Sequence, residues 1–214
     1  MLIHWLGESC FLIQLSNGRR ILLDPTNIDI DTINKLRPSI ITISHNHNNC
    51  NNYINSNIIE SCGCFNYKYA KITGILSYHD NMAGLKRGEN IIFMIQADNI
   101  KVCHLGHIGH KPTKEMLSYI YNSDILFIPI GGHFTIDSIS ALEIINLINP
   151  KVIIPMFYTS SNSITRIDNP QYFLTNSKNV SVLNCSSLDT KEINNFSYPN
   201  TILLKKESNF TDSL

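Results

Sequence analysis

A chain of 214 residues with zero net charge and a pI near 7.1 carries no electrostatic footprint for nucleic acid or an anionic membrane. Its 43% hydrophobic and 16% charged residues suit one ordinary core, spanning residues 1–214 as a single domain. No 18-residue apolar run appears, and the opening Met1–Glu8 lacks a basic segment followed by an apolar one. The expectation is therefore a cytoplasmic protein with no membrane contact, its six cysteines reduced rather than forming a spaced disulfide framework.

Leu2–Leu6 and Cys10–Leu15 read as apolar strands separated by Gly7, Glu8 and Ser9. Ser16-Asn17-Gly18 then turns the chain into Arg20–Leu23, because Asn-Gly favours positive φ in a hairpin. That strand ends at Asp24, either a turn residue or an acceptor that orients a histidine. A short helix with Asp31 as its N-cap stops before Pro38. Ile40–Ile43 is a β-branched, mostly apolar run, read as a buried strand that opens into the polar stretch Ser44–Cys50. His45 and His47 stand two apart there, so on extended backbone both imidazoles can face one point, half of a tetrahedral zinc site. The alternative is an Asn-rich loop that happens to carry two surface histidines.

Residues Tyr53–Gly63 are poorly patterned, and Cys62 and Cys64 are too closely spaced for a zinc knuckle, so both are read as structural. Lys71–Tyr78 reads as a strand ending at His79-Asp80, followed by a loop with Lys86 and Arg87. Ile91–Gln96 and Ile100–Leu105 form a hairpin about Ala97-Asp98-Asn99, running out into His104, His107 and His110. A helix from Pro112 and Thr113 to about Tyr121 follows, then a strand over Ile125–Ile130. Asp137 or Ser138 caps a helix with Ile139, Leu142 and Ile145 at helical spacing, and Pro150 ends it before a strand over Val152–Ile154. The remainder holds a short helix and two strands, Val180–Leu183 and Thr201–Lys205. Strands that end in His, Asp, Gly or Cys recur, the pattern left by a site built on strand termini.

Several of these stretches, taken in order, resemble the metallo-β-lactamase superfamily, and within it the small metal-dependent hydrolases similar to ascorbate-6-phosphate lactonase. They are Trp5-Leu6-Gly7-Glu8-Ser9-Cys10-Phe11, Leu22-Leu23-Asp24-Pro25, Ser44–Cys50, Tyr78-His79-Asp80, Lys86-Arg87-Gly88, His104–His110, Gly131–Asp137 and Pro155-Met156-Phe157-Tyr158. The resemblance implies an α/β fold, a four-layer αβ/βα sandwich of two mixed sheets with helices outside and a metal site at one edge. It also implies that His45, His47 and His79 hold the first metal, with Asp24 and His104 supporting them.

The sequence departs from that family where the second metal would sit. Asn49 and Cys50 stand at the loop's Asp and His positions, His107 replaces a bridging Asp, Phe157 replaces a ligand His, and Glu8 replaces the His of the opening motif. Asn49 offers only a neutral amide oxygen, Phe157 offers no donor, and a neutral imidazole at 107 has one lone pair and cannot bridge. His107 can complete the first site as a further ligand or take a proton from water as a base. Gly106 and Gly109 are expected to give the backbone freedom to hold its side chain aside from the metal, as the base requires. Cys50 is either a further ligand, as thiolate, or a simply packed thiol. One metal ion is thus expected, most readily zinc; Lys86 and Arg87 either receive an anionic group of a small-molecule substrate or stand as solvated loop charges. The reading is a metal-dependent hydrolase that cleaves a small ester, lactone or phosphoester; the alternative is a relative that has lost catalysis and kept the fold and a closed metal site. A nuclease-type member fits poorly, for want of an inserted domain or a basic surface. Self-association into a homo-oligomer is left open by the sequence.

Overall fold

The computed structural model describes residues 1–26, 28–45, 56–159 and 167–206. Period-two alternation in the strands decides the layering. In β3 (Arg20–Leu23), Ile21 and Leu23 turn to one face and Leu22 to the other; in β10 (Ile125–Pro129), Ile125 and Phe127 oppose Leu126 and Ile128. One face of each sheet packs against the other sheet, and the opposite faces pack under helices. The inner core runs from Ile3, Phe11 and Ile13 across to Phe93, Ile95 and Phe127. Its centre is the stacked pair Phe11 and Phe127, ring centroids 4.0 Å apart. Burying each such ring stabilises the fold by about 1.5–3 kcal/mol.

The first sheet takes the order β13-β1-β2-β3-β4-β5, where β1 is Leu2–Gly7, β2 Cys10–Gln14, β4 Ile40–Thr42, β5 Asn57–Ile59 and β13 Ser187–Asp189. Strands β1 to β3 are antiparallel neighbours, while β3, β4 and β5 run parallel. The second sheet takes the order β12-β14-β11-β10-β9-β8-β7-β6. Here β6 is Gly63–Tyr67, β7 Ala70–Tyr78, β8 Glu89–Ala97, β9 Ile100–His104, β11 Val152–Met156, β12 Val180–Val182 and β14 Asn200–Leu203. Its β6–β9 half is antiparallel and its β9–β12 half parallel, so both sheets are mixed. Helix α1 (Ile30–Leu36) covers the outer face of the first sheet through Ile33 and Leu36. Helices α2 (Lys114–Ile120), α3 (Ser138–Ile148) and α4 (Gln171–Asn176) cover the second. This is the expected four-layer sandwich.

Some local expectations are corrected. Asp29, not Asp31, caps α1, its carboxylate accepting the Thr32 amide at 2.9 Å. Helix α3 buries Ala141, Ile144 and Ile148, whereas Ile139 is 55% exposed; the apolar residues on this helix form two stripes, and spacing alone does not choose between them. Strands β5, β6 and β13 lie where no strand was read, because they are short edge or near-edge strands with few buried side chains. Cys62 and Cys64 are exposed, at and just before the edge strand β6, not packed in the core.

Candidate metal centre

Strands β3, β4, β7, β9 and β11 all deliver their C-terminal ends to one rim, where Asp24, His45, His79, His107 and Phe157 follow in turn. Ligands bind outside the carboxyl ends of strands in sheets of this kind. Among the described residues, His45, His79 and His107 form a group whose candidate ligand atoms all lie within 4.8 Å of one another. They are 9%, 8% and 6% exposed, so few waters compete for the space between them. His107 Nδ1 is 3.3 Å from His79 Nε2. Two nitrogens bound to one tetrahedral zinc at about 2.0–2.1 Å stand about 3.3 Å apart. The donor set, neutral imidazole nitrogens on converging strand ends, fits zinc or another borderline transition metal.

Each histidine is held by neighbours. Asp24 is 1% exposed and accepts the Ser44 amide at 2.7 Å on one oxygen and the Ser44 hydroxyl at 2.5 Å on the other. With its proton given to Asp24, Ser44 Oγ accepts from His45 Nδ1 at 2.8 Å, which leaves the lone pair of His45 on Nε2. Asp24 therefore reaches the histidine through a serine rather than directly. His79 is anchored by its amide to the Gly88 carbonyl at 3.1 Å. The adjacent Asp80 carboxylate gathers four amides, Met82 and Gly84 on one oxygen and Lys86 and Arg87 on the other, at 2.8–3.0 Å. Burial pushes the Asp80 carboxyl up, but the four amides together outweigh it and hold the pKa below the usual aspartate value. His107 is fixed from the backbone by Asn90, whose Oδ1 accepts its amide at 2.8 Å. Asn90 is fully buried and spends both amide hydrogens on Ser77 Oγ and the Leu105 carbonyl.

The glycines expected to leave His107 room to stand aside do the opposite. Gly106 has φ +58, and a Cβ there would collide with Asn90 and Ser44; one at Gly109 would collide with the backbone of His79 and Asp80. Both permit close approach, and they bring His107 against the other two rings. The His45 and His107 centroids are 4.0 Å apart, and the Phe157 ring packs on His107 at 4.3 Å.

The remaining residues singled out in the sequence divide clearly. His104 lies behind the rim, its Nε2 2.9 Å from the Ser9 carbonyl and its Nδ1 3.9 Å from Asp24. His110 accepts the Tyr78 amide, and exposed His133 packs on Phe134, so neither ring joins the group. Lys86 and Arg87 are exposed on the Asp80 loop, with the Arg87 guanidinium 5.5 Å over the Phe134 ring. His47, Asn49 and Cys50 lie outside the described residues. The sequence reading missed Ser9, Ser44 and Asn90, which position histidines without any donor pattern of their own. The one signal was Asn90, a polar residue at the mouth of an apolar run.

The comparisons with known proteins agree with this fold. A UPF0173 metal-dependent hydrolase of Methanobrevibacter smithii is 29% identical, the alignment covering 75% of this chain and 82% of that protein. Another, from Caldivirga maquilingensis, is 24% identical over 74% of this chain and 82% of its own. The solved structure of a Thermotoga maritima protein of the metallo-β-lactamase superfamily superposes with a TM-score of 0.78 at 28% identity, covering 95% of this chain and 97% of that one. Residues 2–157 match the model of the β-lactamase superfamily domain, a span that holds every strand end described above from Asp24 to Phe157, and the chain belongs to that family.

Proposed function

We propose that the protein is a metal-dependent hydrolase of small esters, lactones or phosphoesters, working with one zinc ion held by His45, His79 and His107. The observation that carries this reading is the convergence of three nearly buried imidazoles within 4.8 Å. The hydrolase names of the relatives support it. A zinc ion on nitrogen ligands lowers the pKa of its bound water towards neutrality and polarises the bond under attack.

The chain's own residues supply position and selectivity. Asp24 and Ser44 keep His45 presenting Nε2, and Asn90 sets the backbone from which His107 projects. With Nε2 of His107 turned to Ser9, a ligand role through Nδ1 is favoured over the role of base. Phe157 walls the site on one side with an apolar ring. Lys86 and Arg87, on a loop held rigid by Asp80, are suited to an anionic group on the substrate. His47 is the further donor that the sequence offers, and Cys50 another.

A second reading, a closed metal site without turnover, is favoured by the close contact of His107 with His79. If His47 joins the other three, four protein ligands leave no position for water. The deciding experiment is hydrolysis of a panel of lactones, carboxylic esters and phosphodiesters by zinc-loaded protein, its chelated form and the His45→Ala variant. Turnover lost in the last two is expected. Zero turnover across the panel, with one zinc bound per chain, establishes the closed site instead.

A further inference from the structure

Ser9 lies in the β1–β2 turn, 1% exposed, with Oγ 3.2 Å from His107 Nε2 and its carbonyl 2.9 Å from His104 Nε2. His104 Nδ1 accepts the Gly106 amide at 3.2 Å, so its Nε2 carries the proton and donates to the Ser9 carbonyl. The backbone of Ser9 is thereby fixed to the end of β9, and its hydroxyl meets the ring of His107. The other nitrogen of that ring, Nδ1, faces His79 Nε2 at 3.3 Å.

A neutral imidazole has one donor and one acceptor nitrogen, and whatever faces one of them decides the role of the other. A backbone amide opposite Nε2 would force that nitrogen to accept and so keep the proton on Nδ1. A carboxylate would only accept and would favour the imidazolium. A hydroxyl can accept from Nε2–H while the ring stays neutral, which leaves the lone pair on Nδ1.

Resting on the proposed metal centre, we propose that Ser9 is the positioning residue of His107, its hydroxyl holding Nε2 so that Nδ1 is the nitrogen turned towards an ion. With Ser9 Oγ accepting from Nε2–H, the Nδ1 lone pair would face the ion beside His79 Nε2. This adapts a histidine to a position where the family resemblance places a carboxylate.

The test uses the whole protein labelled with 15N-histidine, with zinc as the ligand probe. In the zinc-loaded parent, NMR is expected to show His107 protonated on Nε2, with the lone pair of Nδ1 on the zinc. Ser9→Ala is expected to weaken zinc binding, measured against a competing chelator, by about 10–100-fold, and Ser9→Thr to restore it to within about 3-fold. Thermal unfolding of the metal-free variants confirms that each folds. Nδ1 protonated in the zinc-loaded parent overturns the proposal, whether or not Ser9→Ala folds. So does a folded Ser9→Ala protein with parental zinc affinity. A parent that binds no zinc ends the metal-centre reading instead. Ser9 is then judged on the metal-free tautomer alone, where Nε2–H supports its role and Nδ1–H overturns it.

Discussion

The rim of strand ends has two sides that share a backbone shape and differ in chemistry. On one side, β4, β7 and β9 end in His45, His79 and His107, the first held at its ring by buried Ser44 and the other two through their backbone amides. On the other, the β1–β2 turn and the end of β11 present Glu8 and Phe157. Both residues are in the left-handed region, at φ +49 and +51, and are joined by the Phe157 amide donating to the Glu8 carbonyl at 3.2 Å. A phenylalanine held there costs about 1–2 kcal/mol, which an ordinary apolar contact does not require. The backbone thus retains the conformation that suits a site residue while the side chain offers no donor. Hydrogen bonds between strand ends set the shape, and the side chains separately decide what the shape can bind.

The largest effect expected from this contrast is on metal binding. His79→Ala removes one of three converging donors and is expected to weaken zinc binding by more than about 100-fold, whereas His110→Ala, outside the group, leaves it within about 3-fold. Metal analysis after dialysis against a weak chelator measures both. Equal binding by His79→Ala and the parent removes that residue from the site.

How far this was legible in the sequence differs between fold and site. Strands such as β3, β7 and β10 announce themselves because alternating or continuous apolar runs are what two packed sheets require. The same physics hides β5 and β6, since an edge strand buries too little to need a pattern. His45, His79 and His107 could be read as strand-end histidines, and their convergence followed from the family resemblance. Ser9, Ser44 and Asn90 could not be read, because their roles depend on neighbours 98, 20 and 17 residues away. No local spacing records such a contact. The tight approach at Gly106 is hidden in the sequence for the same reason: a glycine gives no sign of whether its freedom serves mobility or close packing.

A smaller effect is expected from putting a donor on the other side of the rim. Phe157 is 8% exposed and packs on His107, so Phe157→His loses apolar contact and is expected to cost about 1–2 kcal/mol in thermal or urea unfolding. Alone, it is expected to leave one zinc per chain, because a single imidazole with no carboxylate partner makes a weak site. Combined with Asn49→Asp and His107→Asp, it is expected to raise the stoichiometry to two. A second tight ion in the single variant means that the donorless side lacks only one ligand. A stoichiometry still at one in the triple variant means that the backbone shape there is not that of a ligand position.

The smallest effect lies at the other ends of the strands, where a carboxylate ties the sheets without any metal chemistry. Asp98, in the β8–β9 turn, accepts the Ser16 hydroxyl and amide, each at 2.8 Å, and lies 3.5 Å from the amino group of Met1. Burial pushes its carboxyl up, but the two Ser16 bonds and the nearby ammonium outweigh this, and the pKa is lowered. A group whose folded pKa is depressed contributes stability above its unfolded value, about 3.9 for aspartate, and loses it as pH falls through the folded value. Because the carboxylate is partly solvated, its contribution is expected to be about 0.5 kcal/mol or less. Asp98→Asn should therefore unfold slightly more easily than the parent above about pH 5 and converge with it towards about pH 2. Zinc affinity should be unchanged at every pH where both proteins are folded. A gap that persists at the acid end would place the Asp98 contribution in shape rather than charge. A change in zinc affinity would mean that the two ends of the strands are coupled, and that the metal-binding side of the rim depends on more than its immediate neighbours.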